Sequence, residues 1–222
     1  MCNVAVLEFF VEVCRLEEFK GKRVLEVGSK YVNGSVRPFV EKFLSPKEYV
    51  GVDVEPGKYV DVVLPAERLL EHFGERSFDV VISTELLEHV RDWRLVINDM
   101  KKILNLNGYM YITSRSCGFH YHSYPHDFWR YELDDMRNIF SDFKIECLKR
   151  DHEAPGVFLK AVKPSKWIPN DLSNIALYSM VLGRRTKSIP NLSDMPLPRR
   201  LKLKVMSKGS SWLKLLSTKL SR

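Results

Sequence analysis

Short runs rich in valine, isoleucine and aromatic residues recur along the first half of the sequence, and helical segments separate them. Buried parallel strands read as continuous apolar runs, and each parallel pair needs a crossover connection, usually a helix. This alternation therefore predicts a parallel sheet with helices on both faces. The five predicted strands lie at residues 22–27, 49–54, 59–63, 77–83 and 109–113.

Two further strand-like runs, 143–148 and 156–162, follow a predicted helix at 133–140 and are joined by a short connection. A connection of this length joins antiparallel neighbours. The sequence thus predicts an α/β fold with a doubly wound, mostly parallel seven-stranded sheet, an antiparallel edge hairpin and a basic C-terminal tail. Apolar residues at helical intervals predict the remaining helices at 3–19, 35–43, 65–73 and 92–104.

Positive charge is concentrated toward the C-terminus. The 222-residue chain has a formal net charge of +7, yet residues 164–222 carry twelve Lys and Arg against two Asp. Residues 1–163 are therefore slightly acidic, which does not indicate a nucleic-acid-binding surface. We predict a catalytic domain at 1–163 and an extension at 164–222, with a proline-containing connector at 183–200.

The final segment, residues 199–222, is both basic and amphipathic. From Trp212 onward the apolar positions share one helical face, whereas residues 201–205 alternate as in a strand. Such a segment can bind an anionic membrane surface or the phosphates of RNA. A solvated or domain-packed tail is the alternative interpretation.

The four cysteines are scattered with no CxxC or Cys/His ligand spacing, so neither a zinc site nor a disulfide framework is predicted. The N-terminal residues lack the pattern of a signal peptide, and no apolar run reaches the roughly 18 residues of a membrane-spanning helix. We expect a cytoplasmic protein, with the basic tail as a means of peripheral contact with the inner membrane face.

The turn beginning at Gly28, between a predicted strand and a predicted helix, has the composition of a ligand-binding loop. Glycine lets the backbone approach a ligand, and a following helix directs unpaired N–H groups toward a negative group. Asp53 ends the second predicted strand, where a carboxylate commonly accepts hydrogen bonds from ribose hydroxyls, and Glu55 is an alternative. NAD is disfavoured because the second and third glycines of GxGxxG are missing.

Five motifs occur in a characteristic order: VLEVG at 24–28, GVD at 51–53, SFDVVIS at 77–83, ELLEHV at 85–90 and LNGY at 106–109. In order and spacing they resemble the class I S-adenosylmethionine-dependent methyltransferases, including the methyltransferase type 11 group. The resemblance covers about residues 20–163. One departure is that Ser29-Lys30-Tyr31-Val32-Asn33 replaces the usual glycine-rich run before Gly34.

The resemblance implies S-adenosylmethionine as the cofactor. Methyl transfer from a sulfonium is an in-line displacement, so such an enzyme chiefly aligns the reacting atoms and excludes water, and no metal is expected. The implied cofactor residues are Glu26, Gly28, Ser29 and Gly34 for the methionine part, Asp53 for the ribose, Ala66 and Glu67 near adenine, and Thr84 and Glu85 beside the methyl donor.

The loop after the fifth strand, residues 114–131 (the acceptor loop), holds three histidines, two arginines and six aromatic residues. Ligands of open α/β sheets lie beyond the carboxyl ends of the strands, so this loop is the predicted wall for the methyl acceptor. As a general base we consider His126, oriented by Asp127, or else His122.

A structural interpretation of the acceptor loop stays open beside the catalytic one. Phe128, Trp129 and Tyr131 would then belong to the core at the start of the next helix, with Asp127 as a helix cap and Arg130 as a surface partner. The stretch 126–131 nevertheless resembles one found in methyltransferases that accompany polysaccharide and glycoconjugate genes.

These features predict a methyltransferase acting on a small-molecule or glycan-type acceptor, lipid-linked glycans included. One alternative is an RNA methyltransferase that binds RNA through the basic tail. The Asn/Asp-Pro-Pro-Tyr/Phe stretch of base-methylating enzymes is, however, replaced by Ser83-Thr84-Glu85-Leu86. Another alternative is a catalytically silent protein that binds S-adenosylmethionine or serves as a scaffold.

Overall fold

Strands and helices alternate along the chain in a computed structural model that describes residues 3–205. Ten strands lie within this part of the chain. They are β1 (Arg23–Val27), β2 (Glu48–Asp53), β3 (Val62–Val63), β4 (Phe78–Thr84), β5 (Leu104–Arg115), β6 (Trp129–Arg130), β7 (Lys144–Arg150), β8 (Gly156–Val162), β9 (Leu177–Ser179) and β10 (Arg184–Thr186).

The helix predicted at 3–19 is divided in two, because the backbone turns extended at Cys14 (φ −73°, ψ 143°) and the Glu18 side chain accepts from the Arg15 N–H. The α-helices before residue 197 are α1 (Val4–Val13), α2 (Leu16–Phe19), α3 (Arg37–Phe39), α4 (Leu69–Phe73), α5 (Trp93–Ile103) and α6 (Leu133–Ile139). A π-helical turn (Val40–Leu44) continues α3, and 3-10 turns lie at Ala66–Arg68, Leu87–His89 and Leu192–Asp194.

The main sheet has seven strands in the order β3-β2-β1-β4-β5-β8-β7. The first five are parallel, and β8 pairs antiparallel with both β5 and β7. The hairpin is therefore present, with β7 at the edge, and the predicted α/β architecture is confirmed. Chain order reverses between β1 and β4, and such switch points are where open sheets bind their ligands.

Each face of the main sheet has its own core, because successive residues of a strand point to opposite sides. Val80 belongs to the same buried cluster as Phe9 and Phe10 of α1. Its neighbour Val81 belongs to the cluster of Ile97 and Met100 of α5. Helices thus cover both faces, and the exposed end of the sheet at the switch point is left for a ligand.

A second, three-stranded sheet in the order β10-β9-β6 joins the extension to the acceptor loop. β9 pairs antiparallel with β6, which contains Trp129. Leu177, Val181 and Met195 are buried in the same core cluster as Trp129. Residues beyond 163 therefore contribute to the core that surrounds the acceptor loop.

The backbone at residues 197–205 is helical, so the strand-like alternation at 201–205 is a wrong prediction. In a helix, residues two apart point in different directions, and Leu201 and Val205 are exposed. The amphipathic helix predicted from Trp212 onward lies outside the described residues. Within residues 3–205, no helix is long and apolar enough to cross a membrane.

Candidate cofactor and acceptor site

The turn after β1 lies against the end of β2. The backbone N–H groups of Gly28 and Ser29 donate to the Val52 carbonyl at 2.8 and 3.0 Å. Gly28 has φ +83°, and a Cβ atom there would lie 3.0 Å from Cβ of Leu86. Only glycine adopts this conformation without strain and also leaves space for the Leu86 side chain. The backbone of the turn is thereby held close to the ends of both β2 and β4.

Glu26 is buried within β1 and accepts a hydrogen bond from the Tyr49 hydroxyl, with 2.8 Å between Oε2 and the hydroxyl oxygen. Burial raises the pKa of Glu26 to about 7, against the lowering effect of the Tyr49 hydrogen bond. A buried carboxyl group of this kind gains either a proton or a cationic partner near neutral pH. Glu26 is therefore suited to receive an ammonium group.

Asp53, at the end of β2, organises the loops around it. Its Oδ2 accepts from the Lys30 backbone N–H at 3.1 Å, and its Oδ1 accepts from the Glu55 backbone N–H at 3.2 Å. The Glu55 side chain is paired with the Lys30 ammonium at 2.5 Å. Of the two acids considered for the ribose, Asp53 is thus the one whose carboxylate is fixed by backbone groups at the strand end.

Thr84 ends β4 and is buried, and Glu85 follows it with φ +53°. Non-glycine residues keep such a conformation only where surrounding contacts hold it. Glu85 forms an ion pair with Arg115, which also lies 3.2 Å from Asp151. Burial and the neighbouring Glu88 raise the pKa of Glu85 to about 8, although Arg115 opposes them. No role was predicted for Arg115 from the sequence, because its partners Glu85 and Asp151 lie in turns far from it along the chain.

A cavity of about 610 Å³ connects the end of the sheet with the acceptor loop. This volume is in the range of small-molecule binding sites. Both residues implied for adenine line this cavity, together with three residues of the acceptor loop and with Leu192 of the 3-10 turn in the extension. Its lining residues are Val54, Ala66, Glu67, Leu86, His89, Val90, Arg91, Ser123, His126, Phe128, Asn191 and Leu192.

Two smaller spaces lie nearby. Gly28, Asp53 and Ala66 line a cleft of about 40 Å³ that shares three residues with the large cavity. Gly34 instead lines a separate cavity of about 410 Å³ together with Arg115 and residues of α1. Four of the nine implied cofactor residues therefore line these two adjoining spaces, namely Gly28, Asp53, Ala66 and Glu67, whereas Gly34 lines the separate cavity.

The acceptor loop is anchored by a buried ion pair. Asp127 accepts from Arg130 through both carboxylate oxygens, at 2.5 and 2.9 Å, and both side chains are fully buried. Burial alone would raise the pKa of Asp127, but hydrogen bonds from Arg130 and His122 lower it to about 2. Arg130 is thus a core residue, and α6 is capped by Glu132. The aromatic residues Phe128, Trp129 and Tyr131 are buried, as the structural interpretation expected.

The candidate bases occupy different environments. Asp127 contacts His122, whose Nδ1 lies 3.1 Å from Oδ2, so it is this ring that Asp127 orients. The side chain of His126 is exposed and lines the large cavity, and its backbone carbonyl lies 2.6 Å from Nδ1 of His89. His89 received no functional role from the sequence, yet the structure places it between both candidates. Its position directly after β4 was the available signal.

The sequence matches the family described as methyltransferase domain over residues 5–151. A solved complex of the Haloferax volcanii Trm112 methyltransferase activator contains a similar fold, with a TM-score of 0.57, 16% identity, and coverage of 68% of this chain and 85% of that chain. An S-adenosylmethionine-dependent methyltransferase from Mesorhizobium loti has a TM-score of 0.55 and 14% identity, with 72% and 99% covered. No curated protein matches the sequence significantly.

A third similar structure is the 1,6-didemethyltoxoflavin-N1-methyltransferase of Burkholderia thailandensis, solved with its namesake compound and S-adenosylhomocysteine. Its TM-score is 0.52 at 13% identity, and the similarity covers 72% of this chain and 76% of that chain. These identities are low, so the structures establish a shared fold. The substrates in their names belong to those proteins.

The residues of this chain fit the implied cofactor. Gly28, which has no side chain, lines the cleft beside Asp53 and Ala66. The Ser29 hydroxyl oxygen is buried and has no hydrogen-bond partner among residues 3–205. Because the family match spans most of the domain and the sheet has the class I strand order, the chain belongs to the methyltransferase domain family and is an S-adenosylmethionine-dependent methyltransferase.

Proposed function

We propose that this protein transfers the methyl group of S-adenosylmethionine to a small-molecule or glycan-type acceptor held in the cavity of about 610 Å³. The main support for this proposal is that one continuous cavity is lined both by residues implied for the cofactor and by residues of the acceptor loop. Ala66 and Glu67, implied for adenine, share one cavity with Ser123, His126 and Phe128 of the acceptor loop. A donor and an acceptor can therefore be enclosed together.

The cofactor supplies a methyl group made electrophilic by the sulfonium to which it is attached. In our proposal the Glu26 carboxylate receives the ammonium of the methionine part, and Asp53 accepts hydrogen bonds from the ribose. The turn at Gly28 and Ser29 provides the close backbone approach. These residues bind and orient, which is the main requirement of an in-line displacement.

We assign the role of general base to His126. Its ring lies at the cavity wall, and a neutral imidazole can take the proton of an acceptor hydroxyl as the oxygen bonds to the methyl carbon. His122 is the second candidate, but its Nδ1 faces Asp127 and its Nε2 lies 3.2 Å from Nε2 of His89. Asp127 acts here as a positioning residue through its contacts with Arg130 and His122.

The lining of the cavity supports a hydroxyl-bearing acceptor. Apolar side chains such as Val90 and Phe128 alternate with polar ones such as Ser123 and Asn191. An aromatic face with nearby polar groups suits a sugar ring, since its C–H face packs against the aromatic side chain and its hydroxyls find partners. A lipid-linked glycan is an acceptor of the same chemistry.

Cofactor binding is tested first, by calorimetric titration of S-adenosylmethionine and S-adenosylhomocysteine. We expect micromolar affinity that Asp53→Ala weakens about 10- to 100-fold, the loss typical of charge-assisted hydrogen bonds. Glu55→Ala is the matched control, since Glu55 is an exposed acid of the same turn. Absence of binding to the unmodified protein would remove the cofactor assignment and favour a scaffold.

Methyl transfer is tested with radiolabelled cofactor and separate pools of glycans, glycolipids and RNA. We expect label in glycan or glycolipid fractions, with a loss of at least 100-fold in kcat for His126→Ala. His72→Ala, an exposed histidine of α4, serves as the control and should retain full activity. Labelling confined to RNA would overturn the acceptor class, and labelling of no pool would favour the catalytically silent alternative.

A further inference from the structure

Three potential metal ligands converge beside the cavity. Glu88 and His89 belong to the 3-10 turn after β4, and His122 belongs to the acceptor loop. One ligand atom of each lies within 4.8 Å of the others. The Nε2 atoms of His89 and His122 are 3.2 Å apart, and Glu88 Oε1 lies 3.9 Å from His89 Nε2. Two nitrogen ligands at about 2.1 Å from one ion are separated by roughly 3.0 to 3.4 Å, which is the spacing of these rings.

The other nitrogen of each ring lies beside an oxygen that can accept its proton. His89 Nδ1 lies 2.6 Å from the His126 carbonyl oxygen, which can only accept, so this nitrogen carries the proton. His122 Nδ1 lies 3.1 Å from Oδ2 of Asp127, although the two atoms are not aligned as a hydrogen bond. When each ring carries its proton on Nδ1, both Nε2 atoms present lone pairs to one another. Metal-bound histidines commonly donate their second N–H to a carbonyl or a carboxylate in this way.

Glu88 adds an independent indication of a cation. Its side chain is fully buried, and the Ser114 hydroxyl donates to Oε2 at 2.8 Å. Its Oε1 is also buried, with no hydrogen-bond partner within residues 3–205, and lies on the side of His89. The nearby Glu85 already has Arg115 as its partner. A buried carboxylate oxygen without a donor is costly, and a bound cation removes that cost.

We propose that Glu88, His89 and His122 bind one divalent transition-metal ion, such as Zn²⁺, Mn²⁺, Fe²⁺ or Co²⁺. Two imidazoles with one carboxylate suit these ions, whereas Mg²⁺ and Ca²⁺ prefer oxygen ligands throughout. Three protein ligands also leave coordination positions for another molecule. No metal was expected from the sequence, because in-line methyl transfer does not require one. The third ligand, His122, is 33 residues from His89 and reaches the site only through the fold.

A catalytic use of this ion rests on the proposed function, whereas metal binding itself does not. His89 lines the acceptor cavity, so an acceptor hydroxyl can reach an open coordination position. Coordination makes a hydroxyl more acidic. Its proton then passes to His126, the oxygen forms a bond to the methyl carbon, and the carbon–sulfur bond breaks with the electron pair left on sulfur.

The site is tested on the full-length protein after treatment with a chelator, without cofactor or acceptor. Zn²⁺ is titrated by calorimetry, and Co²⁺ by its visible absorption, which reports nitrogen ligation. We expect one equivalent to bind with micromolar or tighter affinity. Glu88→Gln and His122→Ala should each weaken binding at least 30-fold and abolish the Co²⁺ bands, and Mg²⁺ should bind at least 100-fold more weakly.

Two histidine variants serve as controls for this experiment. His72→Ala should bind Zn²⁺ as the unmodified protein does, because this exposed residue lies on α4. His126→Ala keeps the backbone carbonyl that orients His89, so its Zn²⁺ affinity should stay within about threefold. Thermal melts report folding: Zn²⁺ should raise the Tm of the unmodified protein and leave that of Glu88→Gln unchanged. If Glu88→Gln fails to fold, the Zn²⁺ affinity of His122→Asn is measured in its place, and weaker binding is again the expected result.

The proposal is overturned if the unmodified protein binds no stoichiometric Zn²⁺ or Co²⁺. It is likewise overturned if Glu88→Gln and His122→Ala, both folded, bind as tightly as the unmodified protein does. A protein that binds the ion at these residues but methylates no acceptor supports the metal site and contradicts only the proposed function. Undiminished methyl transfer with no metal binding contradicts only the metal site.

Discussion

Arg130 and Asp127 form an ion pair in which neither side chain is accessible to solvent, and both carboxylate oxygens accept from the guanidinium. The remaining Arg130 N–H groups donate to the carbonyls of Phe119, His120 and Trp129. One buried cation thereby fixes the acceptor loop at two distant points. The loop that carries the candidate base is consequently part of the folded core.

We predict that Asp127→Asn destabilises the protein by about 3–5 kcal/mol, because the buried Arg130 charge loses its counter-charge. Urea denaturation measures the loss. Asp134→Asn is the matched control, since Asp134 and Arg137 form an exposed pair at the same spacing. The control should change stability little because solvent screens it. Equal losses in both variants would show that the burial of the Asp127 pair has no energetic consequence.

Gly28→Ala tests the turn after β1. Gly28 has φ +83°, and an added Cβ would meet Leu86 at 3.0 Å. We expect a loss of about 2–3 kcal/mol in the free energy of unfolding, together with weaker S-adenosylmethionine binding. Gly21→Ala measures the cost of the positive φ alone, because Gly21 has φ +71° and an added Cβ there would have no atom within 4 Å.

The Gly21→Ala variant should lose about 1 kcal/mol and bind the cofactor normally. Urea denaturation and calorimetric titration measure the two effects separately. If both glycine variants bound the cofactor equally well, close backbone approach at Gly28 would not be required for binding.

The pH dependence of stability tests Glu26. Its pKa is raised by burial from 4.5 to about 7 in the folded state, so its stabilising contribution is present below about pH 4.5 and is lost as pH rises through 7. We therefore predict that Glu26→Gln is more stable than the unmodified protein at pH 8, by up to about 3 kcal/mol, and similar at pH 4.5.

The same variant should bind S-adenosylmethionine more weakly at every pH, because it lacks the carboxylate proposed for the ammonium group. Urea titrations across this pH range, with the exposed Glu75→Gln as control, measure the stability effect. A stability difference independent of pH would contradict the ionisation of a buried Glu26.

Leu177→Ala tests whether the extension folds with the domain. Leu177 lies in β9, is fully buried and belongs to the same core cluster as Trp129. We expect a loss of about 2–5 kcal/mol in one cooperative transition. Ile168→Ala is the control, because that side chain is 82% exposed. A separate early transition in urea would instead indicate that residues 164–205 unfold independently.

Much of the main sheet could be predicted because its signals are local. Each central strand carries its own run of branched residues, and the connection between β7 and β8 is short enough to specify a hairpin. The positions of Gly28 after β1 and of Asp53 at the end of β2 could be predicted for a related reason, since strand ends share one edge of a parallel sheet. The role of Arg115 was not identifiable, because its partners Glu85 and Asp151 lie on other elements.

For the acceptor loop as well, the sequence indicated a site but not which of its side chains contact one another. Its composition indicated a site, but whether Asp127 orients His122 or His126 depends on where Arg130 is buried. The small sheet of β6, β9 and β10 was also not predicted, because its strands have only two or three residues and β6 pairs with β9 across a segment that contains α6, β7 and β8.

The sequence by itself determined the strands of the main sheet, their alternation with helices and the family, since these depend on residue patterns within short windows. Tertiary structure alone decided which distant side chains meet, including the contact between His89 and His122. Such contacts depend on how segments far apart in sequence pack together, and a pattern of neighbouring residues does not specify that packing.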